Sequence, residues 1–239
     1  MGTYIARRLL WVPVLLFLVS FITFVLGQFG PGDPVQILLG QYSDPAAVQR
    51  IRVQRGLDDN VAVQYSRYIW GVVHGDFGES YQYRGRSVRE LLFKRIPVSA
   101  QLNLAALMIS LGLGIPIGLF SALHQGSVWD TIAVAATLLA QSLPVFFTAP
   151  MMLIVFSLQL DILPTHGWGG FFDTRIIMPA LVIGIPGVAI ITRLTRASTL
   201  EVVHQDYIRT ARAKGLGERV VITRHILRNS LIPVVTTLG

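Results

Sequence analysis

The sequence predicts an all-α fold, a polytopic membrane helical bundle with four complete spans and the start of a fifth. Composition is the first reason. Of 239 residues only 14% are charged and 52% are apolar, against roughly 25% and 45–50% in ordinary soluble domains. The second is where charge is missing: no Asp, Glu, Lys or Arg occurs from Leu9 to Gly32 (24 residues), Ile96 to Trp129 (34), Thr131 to Leu160 (30) or Ile176 to Thr192 (17). A bilayer core needs about 20 apolar residues per helix, with about 17 as the lower limit. The third is that the basic residues lie outside these runs, as loop residues.

The first run, a span at about 9–29, follows Arg7 and Arg8 as a signal peptide would. It is too long for one, and Gly27, Gln28 and Phe29 offer no small-x-small cleavage site, so it is expected to stay as an anchor. The segment 30–97 carries its own helix signals. Asp44 and Pro45 read as N-cap and first helical position, with Gly56 as the stop. A second amphipathic stretch places Val61, Tyr65, Tyr68, Ile69 and Val72 on one side, and Ser87 with Glu90 reads as a capping box that opens a third. These helices suit either the membrane surface or a docking surface for an external partner.

Spans are expected next at about 98–123, 131–158 and 176–196. Gly114 and Gly118, and likewise Ala136 and Ala140, stand four apart, a spacing that lets helix backbones approach closely. Pro116, Pro144, Pro150, Pro179 and Pro186 are expected to kink or open their helices. Among the polar residues of the spans, Gln101, Asn103, Gln141 and Ser142 are candidates to line a pathway, or to bond between helices. The runs hold no acidic residue and only His124 at a span's end, so no catalytic residue is assigned. No phosphate-cradling loop occurs, the only lysines being Lys94 and Lys214. Without cysteine there is neither a disulfide framework nor a thiolate metal site; no metal or cofactor site is assigned. Any energy for work must come from another subunit.

The net charge of +7 is spread without a run of five basic residues, which argues against nucleic acid and for a positive-inside bias. Arg7, Arg8 and the eight basic residues from Arg193 to Arg228 oppose a single one, Arg175, between Gln159 and Arg175. The N-terminus is therefore expected in the cytoplasm. The nine basic residues between Gly30 and Arg95 would level the score, but loops longer than about 60 residues translocate largely regardless of charge.

The cytoplasmic segment 197–230 reads as helix, sharp turn, helix. Leu200, Val203, Tyr207 and Ala211 recur at helical spacing, either behind a capping box at Ser198 and Glu201 or as a continuation of the fourth span. Gly215 and Gly217 break the helix, and a second passes through Val220, Val221, Arg224 and Leu227. Arg209, Arg212, Lys214, Arg219, Arg224 and Arg228 make its exposed side basic, which lipid headgroups would suit equally well.

Here the residues resemble a known family. Asp206 to Gly217 (DYIRTARAKGLG) and Arg224 to Val234 (RHILRNSLIPV) look like the cytoplasmic loop of ABC-importer permeases, closest to the first permease type of the dipeptide/oligopeptide/nickel family. Further landmarks fall in the same order: Pro31 to Pro34 (PGDP), Gly56 to Asp58 (GLD), Gly75 to Ser80 (GDFGES), Ser142 to Phe147 (SLPVFF) and Leu194 to Ser198 (LTRAS). Against the general E-A-A loop pattern the chain keeps Ala211, Gly215 and Leu227, with Arg209, Thr210, His225 and Arg228 as departures.

The resemblance implies one transmembrane permease domain over 1–239 of the type I importer kind, in a bacterial or archaeal cytoplasmic membrane. It implies an ATPase-coupling loop at Asp206, Tyr207, Arg209, Thr210, Ala211, Arg212, Ala213, Lys214, Gly215, Leu216 and Leu227. Implied partners are a second permease subunit, two ATP-hydrolysing subunits and an external solute-binding protein that delivers small peptides or related solutes. The subunit itself would not be an enzyme. Members resemble six-span proteins, whereas a fifth span has only begun at 231–239, a rise of about 14 Å, so truncation is expected. The alternative is a non-transport receptor or assembly scaffold with a basic docking loop.

Overall fold

A computed structural model describes residues 2–29, 35, 44–80, 82–83 and 85–238. The PGDP landmark at 31–34 lies outside the described residues. The described residues are helical apart from turns, loops and one isolated antiparallel bridge between Glu79 and Ser87. The chain divides into two compact units, Met1–Arg95 and Ile96–Gly239.

In the first unit, α1 (Gly2–Phe29) presents exposed apolar side chains along most of its length, as a lipid-facing helix does. One stripe is covered. Phe17, Phe21 and Phe24 recur at helical spacing and surround Tyr65, with ring centroids 5.7, 5.1 and 5.5 Å away, and the Tyr65 hydroxyl lies 2.7 Å from Ser20 Oγ. Tyr65 belongs to α3 (Val61–Val73), so that helix packs on α1 through this residue. Before it, α2 (Pro45–Arg55) begins as expected: Asp44 accepts from the Ala46 N–H, Pro45 is its first residue, and Gly56 ends it at φ +63°. The only buried side chain of α3, Gln64, donates to the carbonyls of Leu57 (2.9 Å) and Asp59 (2.7 Å), locking the α2–α3 turn.

The third predicted helix runs on without a break. It is the start of α4 (Val88–Leu123), 36 residues long and about 54 Å at the α-helical rise. Ser87 Oγ accepts from the Arg89 N–H, but Glu90 does not reach back to complete the capping box; it accepts from Lys94 Nζ at 2.6 Å, one turn on.

In the second unit α4 packs on α7 (Ile177–Val203) through glycine. A Cβ at Gly114 would stand 2.7 Å from Ile191 Cβ, and one at Gly118 2.5 Å from the Thr192 carbonyl. Only glycine permits this approach. Ser110 Oγ donates to the Gly184 carbonyl (2.9 Å) and Thr192 Oγ1 to that of Gly114 (3.3 Å), polar bonds that serve where lipid offers no partner. Ala136 and Ala140 line an apolar cleft together with residues of α4 and α7.

The prolines differ in effect. Pro116 and Pro186 sit inside unbroken helices, and Pro179 falls in the first turn of α7, where its missing N–H costs nothing. Pro144 breaks the chain. It holds Leu143 extended (φ −78°, ψ 118°), and α5 (Val128–Ser142) meets α6 (Val145–Met152) and its π-helical extension Leu153–Gln159 at 94°. Among the described residues three helices are thus long and apolar enough to cross a bilayer, Arg7–Gln28, Val88–Leu123 and Thr174–Val203, or four crossings if the bent pair counts as one.

Candidate functional site

Past Val203 the backbone leaves α7 at His204 and Gln205 and re-enters a helix as α8 (Asp206–Ala213). Of the two starts that the sequence allows, the span continues: no capping box forms at Ser198, which is buried within α7. Leu200, Val203, Tyr207 and Ala211 are therefore not on one helix. The buried residues of α8 are Ile208 and Ala211, one turn apart, while Tyr207 is exposed and accepts from Asn229 Nδ2 at 2.9 Å.

Gly215 closes α8. Its φ is +79°, its N–H donates to the Arg212 carbonyl, and Leu216 N–H donates to that of Ala211. This left-handed stop suits glycine. The return path is α9 (Glu218–Val220), a π-helical segment Val221–Leu227 and α10 (Arg228–Ser230), followed by α11 (Ile232–Leu238). Val221 and Ile226 close on Ile208 and Ala211 as a small core, against which Leu119 of α4 and Val202 and Val203 of α7 pack. The helix–turn–helix is thus a folded body seated on the ends of two long helices.

Its outer surface carries most of the residues that the sequence singles out. Asp206, Tyr207, Arg209, Thr210, Arg212, Ala213, Lys214, Gly215 and Leu216 are exposed; Ala211 is buried in the small core and Leu227 is half-buried. Arg212 and Glu218 bridge the turn with two hydrogen bonds, Nη2 to Oε1 at 2.7 Å and Nε to Oε2 at 3.2 Å. That bond holds the Glu218 carboxyl below its usual range and raises Arg212, partial desolvation opposing both.

The four polar span residues are not brought together. Asn103 and Ser142 donate to carbonyls one turn back in their own helices, Ser99 and Leu138, at 2.8 Å each. Gln101 Oε1 is buried without a partner, and Gln141 is exposed beside the α5–α6 break. What the sequence reading missed is a knot above the helix–turn–helix. Asp130, 5% exposed, receives Arg196 Nε and Nη2 on its two oxygens at 2.8 Å each, the Gly126 N–H at 3.0 Å, and the Ser121 hydroxyl. A signal existed: Asp130 alone separates the uncharged runs of 34 and 30 residues.

Residues 114–239 match the binding-protein-dependent transport system inner membrane component, and residues 1–103 match the N-terminal part of such membrane components. The chain is 36% identical over 237 residues to the oligopeptide transport system permease protein OppB of Escherichia coli K12, covering 99% of this chain and 76% of that protein. The Salmonella typhimurium protein of the same name is 35% identical with the same coverage. The chain belongs to the family of binding-protein-dependent transport system inner membrane components.

Proposed function

We propose that this chain is a permease subunit of an ATP-driven importer of small peptides, forming the translocation path with a second permease. It performs no covalent chemistry; two ATPase subunits supply the energy, and an external binding protein delivers the solute. The observation that carries this reading is the helix–turn–helix, a body with its own core, seated on α4 and α7, whose exposed face holds Asp206 to Leu216. A receptor or scaffold needs only an adhesive surface; a coupled transporter needs a compact element fixed to its spans. The names of its relatives favour peptides as cargo.

In this reading the N-terminus and segment 197–230 are cytoplasmic and 30–97 is external, with four crossings over about 9–29, 98–123, 131–158 and 176–196, the third broken at Pro144, and a fifth entered at 231–239. Asp206, Tyr207, Arg209, Thr210, Arg212, Lys214 and Leu216 meet the ATPase, and Gln101, Asn103, Gln141 and Ser142 line the path. Co-expression with ATPase and second-permease subunits, purification, and uptake of a labelled peptide into vesicles loaded with ATP test it. A stable complex with uptake dependent on the binding protein is expected; absence of co-purification overturns it.

A further inference from the structure

The contacts between α1 and α3 reach well inside the apolar run of α1. Gln28, the last residue of the stretch long and apolar enough to cross a bilayer, donates from Nε2 to Gln64 Oε1 at 3.0 Å. One turn further in, Phe24 meets Tyr68, with ring centroids 5.5 Å apart. Tyr65 goes deepest: its ring packs on Phe17, Phe21 and Phe24, and its hydroxyl lies 2.7 Å from Ser20 Oγ. Ser20 is eight residues inside Gln28, about 12 Å along the helix, where a hydrocarbon core is about 30 Å thick.

These heights set the level and the roll of α3. Gln64 at Gln28 holds its start at the membrane edge, and Tyr65 pointing down to Ser20 turns its side of the helix toward the bilayer interior. Ile69, Val72 and Val73, four, seven and eight positions on, share that side, and Val73 is 74% exposed. The polar groups of α3 are arranged as lipid demands. Its one charged residue, Arg67, is paired with Asp59 at 2.9 Å, Gln64 spends its amide on two carbonyls, and Ser66 Oγ donates to the Val63 carbonyl at 2.9 Å. Trp70, 70% exposed, is of the type that collects where membrane meets water. The preceding helix differs in kind: α2 carries Arg50, Arg52 and Arg55 within 11 residues and suits water or headgroups.

We propose that α3 is a membrane-interface helix, lying in the leaflet that receives the Gln28 end of α1, with Ile69, Val72 and Val73 against acyl chains. Lipid is the occupant because this stripe continues the exposed apolar surface of α1 at the same depth; an external protein could cover it only by entering the leaflet. The proposal rests on α1 crossing the bilayer. It settles α3 on the membrane surface and gives Tyr65 the role of fixing its depth.

The test places single spin labels on the full, otherwise cysteine-free chain in vesicles of phosphatidylethanolamine and phosphatidylglycerol, and compares collisions with oxygen, which enters lipid, and with a water-soluble nickel chelate. Ala62→Cys and Val73→Cys sit on the side of Tyr65, Val63→Cys on the opposite side, Gln54→Cys in α2 and Leu18→Cys in α1; all five positions are exposed, so the labels need no repacking. The oxygen-to-nickel ratio at Ala62 and Val73 is expected to exceed that at Gln54 by about threefold or more, with a depth of about 5–10 Å. Val63 should fall between them, and Leu18 should lie deepest. Ratios at Ala62 and Val73 equal to that at Gln54, with Leu18 deep, overturn the interface helix and leave the α1 span standing. A nickel-accessible Leu18 overturns both.

Discussion

Arg212 holds Glu218 across the glycine turn, so the two arms of the helix–turn–helix are tied by a two-point ion pair at its tip. The side chains are 40% and 56% exposed, so solvent screening limits the pair to about 0–1 kcal/mol. Its pH dependence has a definite sign. The folded Glu218 carboxyl lies below the ordinary 4.5, so the contribution is complete above that value and is lost as pH falls through the lowered one. Hydrogen exchange of the Ala213–Val220 amides should be slower in the unaltered chain than in Glu218→Gln at pH 6, and the difference should vanish in strong acid. A difference that persists in acid would show that the pair does not order the turn.

At Gly215 conformation and space make separate demands. No atom lies within 4 Å of the position a Cβ would take, so a small side chain meets no clash, but φ of +79° disfavours one by about 1 kcal/mol. Gly215→Asn, which tolerates this region, should be nearly silent in stability and uptake, and Gly215→Ala should cost stability alone. Gly215→Asp should insert normally yet lose uptake and ATPase co-purification, because the new charge projects into the surface that receives the turn. Normal uptake by the aspartate variant at matched membrane levels removes this turn from coupling.

The α4–α7 contact offers a paired test within one helix. A Cβ at Gly118 would stand 2.5 Å from the Thr192 carbonyl and 2.8 Å from Thr195 Cβ, whereas one at Gly112 would meet nothing within 4 Å. Overpacking of this kind costs about 1–3 kcal/mol. Gly118→Ala should lower the unfolding midpoint of the detergent-solubilised protein by several degrees, and Gly112→Ala should leave it unchanged or raise it. Equal midpoints for the two variants would mean that the helices do not meet at Gly118.

Local chemistry was legible in the sequence and distant pairing was not. Asp44, Pro45, Gly56 and Gly215 act on neighbours within a few residues, and each does what its type demands. The Gly114/Gly118 pair was readable because close packing leaves a periodic mark. The Ser87–Glu90 box failed because Lys94, one turn further on, is a stronger partner for a carboxylate than a backbone N–H. The register of the first arm of the helix–turn–helix shifted from Tyr207 to Ile208 because the chain pauses at His204 and Gln205, a two-residue break that a periodicity count runs through. Asp130 and Arg196 lie 66 positions apart, and only the packing of three helices brings them together.

Membrane orientation follows from where basic residues concentrate, and exposed positions now available make it measurable. Gln54 in α2 and Lys214 beside the turn are both exposed, whereas Ser198 is buried in α7 and would be shielded from a reagent whichever side it faced. The chain has no cysteine of its own, so each introduced thiol is the only target. The proposed topology puts Arg7, Arg8 and the eight basic residues from Arg193 to Arg228 on the cytoplasmic side, so a membrane-impermeant maleimide should label Gln54→Cys in intact cells. Lys214→Cys should label only after the membrane is opened. Replacing one lysine leaves nine basic residues on that side, too small a change to invert the protein. Labelling of both thiols in intact cells would place 197–230 outside and remove it from reach of any cytoplasmic ATPase.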